Sequence, residues 1–350
     1  RPRSGDRTAG DPQALQTPVI FKRKEGLHLI LSDTLSAHLP ERPTAVALGF
    51  FDGIHRGHTK VISAAVQAAR QQGLIPCVFT FSPPGKGGPK PVGELIQTDE
   101  VKQYILERMG VRQIFRPPFE EFRDLTPEEF VRKVLAERFQ ARVVACGENF
   151  HFGRNAAGNA ELLCQLGQEY GIEVIVVPLE RENGEVISST LIRKALRDGE
   201  IETANRLLGH PYTLIAPVVH GRGLGRQWNY PTANQYFPDE QIIPQNGVYA
   251  TIAVCDGKRY VGSTNVGKKP TVGGQAVLSE TFLVDYKGDL YGKNLIVEFY
   301  HFVRGEKKFG SLEELRAAIE DSTRKSVELC EKYREIPLQT DEAVLQSIGN

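Results

Sequence analysis

Hydrophobic residues follow two different periods along the chain, and the change falls at about residue 211. In the first half, short runs of apolar, often β-branched residues alternate with segments whose apolar residues recur every three to four positions. Continuous apolar runs are typical of strands buried on both faces of a parallel sheet, and the intervening segments are typical of covering helices. The predicted strands are Thr44–Phe50, Ile75–Phe81, Arg112–Arg116, Arg142–Cys146 and Glu173–Pro178.

Several of the intervening helices have clear start signals. Thr126, Pro127 and Glu129 provide a capping hydroxyl, a first-turn proline and a capping-box glutamate ahead of an apolar face. After Thr98, an acidic first turn predicts another helix, because negative charge is favourable at the positive end of the helix dipole. The segment Ser188–Gly209 predicts two short helices that each end at a glycine.

Beyond Pro211 the apolar period becomes two, and Gly, Pro, Asn and Asp residues separate the runs. This pattern predicts a small antiparallel β domain, which we expect to be a barrel. A final helix is predicted over Ser311–Tyr333, with Ser311 as its cap. The predicted strands are Tyr212–Val219, Val248–Val254, Tyr260–Val266, Thr281–Tyr286 and Leu295–Phe302.

Composition excludes several classes of protein without changing this picture. The 43 Lys and Arg residues balance 43 Asp and Glu, which argues against a basic nucleic-acid-binding arm or a disordered acidic chain. No apolar run approaches the roughly 20 residues of a membrane helix, and residues 1–10 are polar, so a cytoplasmic protein is expected. The five cysteines are widely spaced, contain no CxxC pair and are predicted to be core thiols.

The first predicted strand leads into GFFDGIHRGH, residues 49–58, and then into a helix predicted over Thr59–Gln72. Glycines let an anion approach the backbone, and a helix start offers unpaired N–H groups and a positive dipole end. His55 and His58 would face one side of the first turn, where both could donate hydrogen bonds to a phosphate. A zinc pair or two surface histidines are alternatives, but no third zinc ligand lies nearby.

A second candidate anion site is ISSTLIR, residues 187–193. Ser189 and Thr190 place hydroxyl groups at a helix start, and Arg193 follows one turn later. A guanidinium can bind phosphate oxygens through two donors. Alone, this motif is also consistent with an ordinary helix cap.

The β half contains a glycine-interrupted basic turn, GRGLGR at 221–226, followed by PTAN at 231–234. The Thr232 hydroxyl and the Asn234 carbonyl are hard oxygens that suit magnesium. The turn is not a Walker loop, because GxxxxGK[ST] occurs nowhere in the chain. Downstream, Glu280 could accept a proton and Arg304 could meet charge on a phosphoryl group, although each alone could equally be a surface charge.

The first two motifs carry a family resemblance. GFFDGIHRGH with ISSTLIR resembles the HxGH nucleotidyltransferases, and GENFHFG at 147–153 adds a likeness to the flavin adenylyltransferase module of bacterial bifunctional riboflavin kinase/FMN adenylyltransferases. The resemblance implies a Rossmann-like parallel-sheet domain that joins AMP from ATP to FMN and releases pyrophosphate, with His55 and His58 catalytic. It implies ATP contacts for Gly49, Phe50, Asp52, Asn149, Ser189, Thr190 and Arg193.

The β half is similar to the riboflavin kinase family. GRGLGR, PTAN, NGVY, KKPTVGG, Glu280, DLYGK and RGEKKF occur in that family's order. The resemblance implies a six-stranded antiparallel barrel with a terminal helix, which phosphorylates the riboflavin 5′-hydroxyl with ATP and Mg²⁺. It implies that Glu280 is the base, that Arg304 lies near the reacting phosphate and that Thr232 and Asn234 lie near Mg²⁺. ATP contacts are implied for Gly221, Gly223, Gly225 and Arg226.

Together these interpretations predict an adenylyltransferase domain at 17–200, a linker at 201–211, a kinase domain at 212–335 and tails at 1–16 and 336–350. The expected partners are riboflavin, FMN, FAD and ATP, with a homo-oligomer as a candidate assembly, and neither nucleic acid nor membrane. In one departure from the family pattern, Pro84 stands where a TFxPHP block commonly has histidine, within a Pro- and Gly-rich loop predicted at Ser82–Pro91. Two alternatives therefore remain, a kinase without adenylyltransferase activity and a flavin- or nucleotide-binding regulator without turnover.

Overall fold

The structure is a computed structural model that describes residues 29–35, 40–81, 94–221, 230–271 and 274–335. The strands of the first half are β1 (Ile30–Ser32), β2 (Thr44–Leu48), β3 (Ile75–Phe79), β4 (Gln113–Phe115), β5 (Ala141–Gly147), β6 (His151–Phe152), β7 (Gly158–Asn159), β8 (Glu173–Val177), β9 (Arg181–Glu182) and β10 (Glu185–Val186). Its helices are α1 (Arg56–Gln72), α2 (Asp99–Arg108), α3 (an α-helical turn at Pro127–Glu129 that continues as a π-helix over Phe130–Arg138), α4 (Ala160–Glu169), α5 (Ser189–Arg197) and α6 (Ile201–Leu208), with 3₁₀ turns at Phe119–Glu121 and Arg154–Ala156. The second half contains β11 (Tyr212–Pro217), β12 (Thr232–Tyr236), β13 (Gly247–Cys255), β14 (Lys258–Thr271), β15 (Gly274–Leu283), β16 (Asn294–Gly305) and α7 (Leu312–Arg334).

The predicted parallel sheet is confirmed. Six strands pair in the order β1-β4-β3-β2-β5-β8, and every pairing is parallel. All five residues of β2 are buried, as expected for an apolar run covered on both faces. The sixth strand, β1, was not predicted, because only one of its three residues is buried and it forms the sheet edge.

The predicted helix starts at Thr98 and Thr126 are confirmed, and the predicted capping residues form the expected hydrogen bonds. The Thr98 hydroxyl accepts a hydrogen bond from Val101 N, and Thr126 and Glu129 form the reciprocal capping box. Helix α1 begins at Arg56, three residues earlier than predicted, because the His55 side chain itself caps the helix. The histidine motif therefore lies on the first turn of α1, directly after the sheet.

The second half is a six-stranded antiparallel sheet in the order β11-β16-β13-β14-β15-β12. The sheet curls until its two edges meet, where Val219 N donates to Asn234 O at 2.8 Å. Inside this curl the buried Gln235 amide donates to Ala216 O and Leu295 O, both at 2.8 Å. The residue pattern missed β12, since its sequence TANQY shows no apolar alternation.

The segment predicted as a linker, 201–211, contains helix α6. Its buried residues Ile201, Ala204 and Leu207 share one apolar cluster with barrel residues such as Tyr249 and Phe299. Both short helices predicted over Ser188–Gly209 are present, and the glycines that follow them have positive φ values. The two halves are therefore joined by a packed apolar interface rather than by an extended connection.

A buried ion pair lies in the same interface. Arg259 Nη2 of β14 is 2.7 Å from Glu298 Oε2 of β16, and both side chains are 5% exposed. Tyr104 of α2 and Tyr300 donate hydrogen bonds to the Glu298 carboxylate, and Arg259 Nε donates to Tyr333 O of α7. These contacts connect the first half, the barrel and the terminal helix through one charged centre.

Four of the five cysteines, Cys77, Cys146, Cys255 and Cys330, are buried free thiols, as predicted. Cys164 is only partly buried, and here the prediction was wrong, because on α4 it lies beside the buried face formed by Ala160, Leu163 and Leu166. Within the described residues, no helix has the length and apolar character needed to span a membrane.

We predict that Arg259→Met lowers the free energy of unfolding by at least about 3 kcal/mol, because it leaves the Glu298 carboxylate buried without a countercharge. Denaturant unfolding followed by circular dichroism measures this change. Arg324→Met is the matched control, since Arg324 pairs with Asp321 and Glu328 on the exposed face of α7, where water screens the charges, so its loss should have a much smaller effect. Equal effects of the two substitutions would contradict the importance of the buried pair.

Two candidate active sites

The first candidate site lies at the carboxyl edge of the parallel sheet. The loop after β2 carries the histidine motif, and neighbouring strands β3, β5 and β8 end at the same edge with Thr80, Asn149 and Glu180 in the segments that follow them. Ligands of open α/β sheets bind outside this edge. Gly49 lies between β2 and this loop. Any side chain at Gly49 would collide with the Phe51 ring, because a Cβ atom there would lie only 2.8 Å from the ring.

Side-chain donors bind five successive carbonyl oxygens of this loop, which we call the histidine loop, residues 50–54. The donors are Thr80 and Lys102 to Phe50 O (2.9 and 3.1 Å), Gln97 to Phe51 O (3.1 Å), Ser189 to Asp52 O (2.8 Å), His210 at Gly53 O (3.0 Å) and Thr59 to Ile54 O (3.2 Å). Positive φ values at Phe51, Gly53 and Ile54 turn the chain sharply. The N–H groups of residues 51–57 donate to no group among the residues that the structure describes, so an anion bound there would displace no internal partner.

The two histidine rings are stacked, with centroids 3.6 Å apart and planes 19° apart. His55 Nδ1 accepts from His58 N at 3.4 Å, so a neutral His55 carries its proton on Nε2. Burial lowers the pKa of His55 to about 4 and holds the pKa of His58 well below its usual range. Both rings are therefore neutral at pH 7 and can act as hydrogen-bond donors.

Helix α5 brings the second predicted anion motif against the histidine loop. Ser189 Oγ donates to Asp52 O, and Arg193 Nη2 donates to Asp52 Oδ2 at 2.5 Å. Asp52 Oδ1 accepts from Ile96 N at 2.9 Å, and burial raises the pKa of Asp52 against the opposing effect of Arg193. The structure thus joins the two motifs, with Arg193 engaged by Asp52.

The remaining predicted residues of this site are more open. Thr190 lies on the first turn of α5 and is exposed, and Asn149 is exposed in the turn after β5. The Asn149 carbonyl oxygen is 2.9 Å from His151 Nδ1. Neither residue contacts the histidine loop through a hydrogen bond between described residues.

Sequence reasoning missed a charged network around the first turn of α1. Arg56 pairs with Glu180 at 2.8 Å and also with Glu182 of β9, Lys60 pairs with Glu180, and Arg206 of α6 pairs with Glu182 at 2.6 Å. These cations lower the pKa values of both glutamates. These ion pairs link α1, the β9–β10 hairpin and α6. The sequence motif HRGH contains Arg56, but nothing in the motif predicts its partners.

The second candidate site is a cavity of about 900 Å³ in the barrel. In the strand register, Asn234 of β12 and Asn265 of β14 both stand opposite Glu280 of β15, so the three side chains lie in a row on one face. Asn265 was not predicted, although its position follows from the strand register. Gly221, Thr232, Asn234, Glu280 and Arg304 all line this one cavity.

The cavity residues fit a hard cation. Asn234 is 5% exposed, and its carbonyl oxygen Oδ1 is buried with no hydrogen-bond partner among the described residues. A Cβ atom on Gly221 would lie 2.6 Å from Asn234 Nδ2, so only glycine permits this close approach. An amide oxygen without a donor beside a threonine hydroxyl is the kind of ligand set that magnesium takes in proteins.

Arg304 is held in place by the terminal helix. Its Nε donates to Ser322 Oγ at 3.0 Å, and Ser322 Oγ donates in turn to Ala318 O at 2.7 Å. The guanidinium also lies 5.7 Å from the Phe309 ring centroid. The helix pattern of α7 predicted packing alone and gave no signal that Leu315, Ile319, Ser322 and Thr323 form a cavity wall.

Three predicted ATP contacts, Gly223, Gly225 and Arg226, fall in residues 222–229, which lie outside the described residues. Pro84 and the whole loop predicted at Ser82–Pro91 also lie outside the described residues.

Comparisons with known proteins agree with this division of the chain. The sequence profile of the FAD synthetase family matches residues 38–191, and that of riboflavin kinase matches residues 208–330. The bifunctional riboflavin kinase/FMN adenylyltransferase of Escherichia coli K12 is 34% identical over 291 residues, which is 80% of this chain and 90% of that protein. The protein of the same name from Bacillus subtilis 168 is 34% identical over 292 residues, 81% of this chain and 92% of that protein.

A crystal structure named as a macrolide-efflux protein from Streptococcus pneumoniae has a similar fold, with a TM-score of 0.75 and 30% sequence identity. The match covers 86% of this chain and 99% of that one.

A nucleotidyltransferase-type parallel sheet that packs on a kinase barrel defines a two-domain, ATP-using transferase. The chain belongs to the bifunctional riboflavin kinase/FMN adenylyltransferase family, and its two domains correspond to the formation of FMN from riboflavin and of FAD from FMN.

We predict that stability falls as the pH drops from about 6.5 towards 4. The unfolded His55 binds a proton near pH 6.5, whereas the folded residue binds it only near pH 4, so its protonation favours unfolding by up to about 3 kcal/mol. Denaturant unfolding at a series of pH values should show a shallower decline for His55→Gln. His151→Gln, at an exposed histidine, is the control and should retain the decline of the parent protein. Equal slopes for both variants would contradict the lowered pKa of His55.

Proposed function

We propose that the chain phosphorylates riboflavin in the barrel cavity and adenylylates FMN at the carboxyl edge of the parallel sheet, with one ATP consumed in each step. The observation that carries this proposal is the grouping of the candidate residues. The histidine loop and the start of α5 form one cluster at the sheet edge, whereas Thr232, Asn234, Glu280 and Arg304 line a single cavity in the other half.

For adenylyl transfer, the free N–H groups of residues 51–57 and the start of α1 bind the triphosphate. The neutral His55 and His58 donate hydrogen bonds to the α-phosphate as negative charge builds up. An FMN phosphate oxygen attacks the α-phosphorus, the bond to the bridging oxygen breaks, and pyrophosphate leaves. Arg193 turns from Asp52 to the phosphates, and Thr190 and Asn149 contribute polar contacts from the open side.

For phosphoryl transfer, Glu280 accepts the proton of the riboflavin 5′-hydroxyl as that oxygen attacks the γ-phosphorus of ATP. ADP is the leaving group. Arg304, held by Ser322, neutralises charge on the transferred group. The Gly221 turn lies beside Asn234, where it approaches the phosphates through its backbone.

Thr232 and Asn234 would hold Mg²⁺, which supplies charge neutralisation on the ATP phosphates when bound. The unpartnered Asn234 Oδ1 supports this assignment. A cytoplasmic location and a possible homo-oligomer, both expected from the sequence, stay predictions.

We predict that the purified chain, incubated with riboflavin, ATP and Mg²⁺, forms FMN and then FAD, as measured by chromatography of the flavins. His58→Ala should abolish FAD and leave FMN formation intact, because only the sheet-edge site loses a donor. Glu280→Ala should stop riboflavin phosphorylation and still convert supplied FMN to FAD. Each variant should retain the activity that the other loses, and this retained activity shows that the variant is folded.

A protein that makes neither FMN nor FAD would refute the proposed function. Accumulation of FMN without FAD would favour the kinase-only alternative, and tight flavin binding without pyrophosphate release would favour a regulator. A single substitution that stops both reactions in a folded protein would contradict the separation of the two sites.

We predict that Asn234→Ala raises the Mg²⁺ concentration needed for half-maximal FMN formation by roughly tenfold, since a metal-binding oxygen is lost. Initial rates at saturating ATP over a Mg²⁺ series measure this change. Tyr236→Ala, an exposed residue two positions along the same strand, should leave the Mg²⁺ dependence unchanged. An unchanged dependence in Asn234→Ala would contradict the metal assignment.

A further inference from the structure

Helix α2 carries a buried lysine that none of the motifs contains. Lys102 is only 7% exposed, and burial lowers the pKa of its ammonium group. A buried cation is costly unless polar or charged groups surround it. The polar and charged groups around the Lys102 ammonium therefore indicate why a cation is buried at this position.

The Lys102 ammonium lies against the histidine loop. Its Nζ donates to Phe50 O at 3.1 Å and lies 5.1 Å from the centroid of the Phe50 ring. Thr80 Oγ1 donates to the same carbonyl at 2.9 Å. Phe50 is the first residue of this loop, so Lys102 fixes the point at which the chain leaves the sheet.

The described charges around Lys102 balance only as a group, because no carboxylate belongs to Lys102 alone. Asp99 of the same helix pairs with Arg116, which also contacts Asp33 at 2.9 Å. Asp52 is the remaining nearby carboxylate among the described groups that act on Lys102, and it already binds Arg193. Arg116, Arg193 and Lys102 thus supply three positive charges against the three carboxylates of Asp33, Asp99 and Asp52, beside two neutral histidines.

We propose that Lys102 is a positioning residue for adenylyl transfer, which fixes the histidine loop through the Phe50 carbonyl and places a buried positive charge close to the histidine pair. This inference rests on the proposed adenylyl transfer at His55 and His58. A positive charge held in a water-poor site favours binding of the triphosphate and of the charge that develops on it.

The same charge acts on His58. Burial is the main cause of the lowered pKa of His58, followed by His55 on its own helix and then by Lys102 from α2. The charged groups that act on Lys102 are Asp99 on its own helix, Asp52 in the loop after β2 and Arg116 after β4. Removal of the ammonium group therefore lets His58 bind a proton at a higher pH.

The test is Lys102→Met, which keeps the length of the side chain and removes its charge and donor. The rate of FAD formation from FMN and ATP at pH 7.5 should fall at least tenfold, and FMN formation from riboflavin should match that of the parent protein. The acidic limb of the pH–rate profile for FAD formation should also move to higher pH, a shift that a purely structural role would not cause. Lys133→Met, at an exposed lysine paired with Glu129 on α3, is the control and should leave both reactions unchanged.

FAD formation within twofold of the parent rate would overturn the inference, as would a uniform loss at every pH. If Lys102→Met lost both activities, Lys102→Arg would decide, because it keeps the charge and the donors. Retained FAD formation in that variant would support the inference, and lost FAD formation with an intact kinase would overturn it. A parent protein that forms no FAD would instead refute the proposed function itself, and this inference with it.

Discussion

The backbone of the histidine loop depends on side-chain donors that come from outside it. Five carbonyl oxygens in succession accept hydrogen bonds from α1, α2, α5 and the segments that follow β3, precede α2 and precede β11. These donors satisfy the carbonyl groups of the loop, whereas its N–H groups donate to no group among the described residues. Three residues with positive φ make this arrangement possible, and two of them, Phe51 and Ile54, are not glycine, so the surrounding contacts must offset their backbone strain.

One of these donors comes from the junction with the barrel half. His210 Nε2 lies 3.0 Å from Gly53 O, and the next residues begin β11. Asn205 of α6 donates to Phe299 O and accepts from Tyr212 N, so the same junction is also hydrogen-bonded to the barrel. The shape of the sheet-edge site therefore depends on contacts from the second half, although its candidate catalytic residues all belong to the first.

Sequence reasoning predicted the regular parts of this structure well, because parallel strands, capping boxes and helix-ending glycines leave local signals. It missed β1 and β12, which have no apolar alternation. It found the residues with recognisable motifs and missed those that act through tertiary contact, such as Asn265 and Ser322. Lys102 had one weak signal, since a cation close to the N-terminus of a helix opposes the helix dipole.

In the proposed mechanisms, the two sites handle phosphate charge by different physical means. At the sheet edge, burial keeps His55 and His58 neutral, so the pair can donate hydrogen bonds without repelling Arg193 and Lys102. In the barrel, the proposed reaction requires a carboxylate to accept a proton, and Glu280 lines the cavity together with Asn234 and Arg304. Neutral donors suit adenylyl transfer, in which the nucleophile is already an anionic phosphate. A base is needed only where the nucleophile is a hydroxyl group, so the chemistry of each acceptor accounts for the residue types that the fold brings to each site.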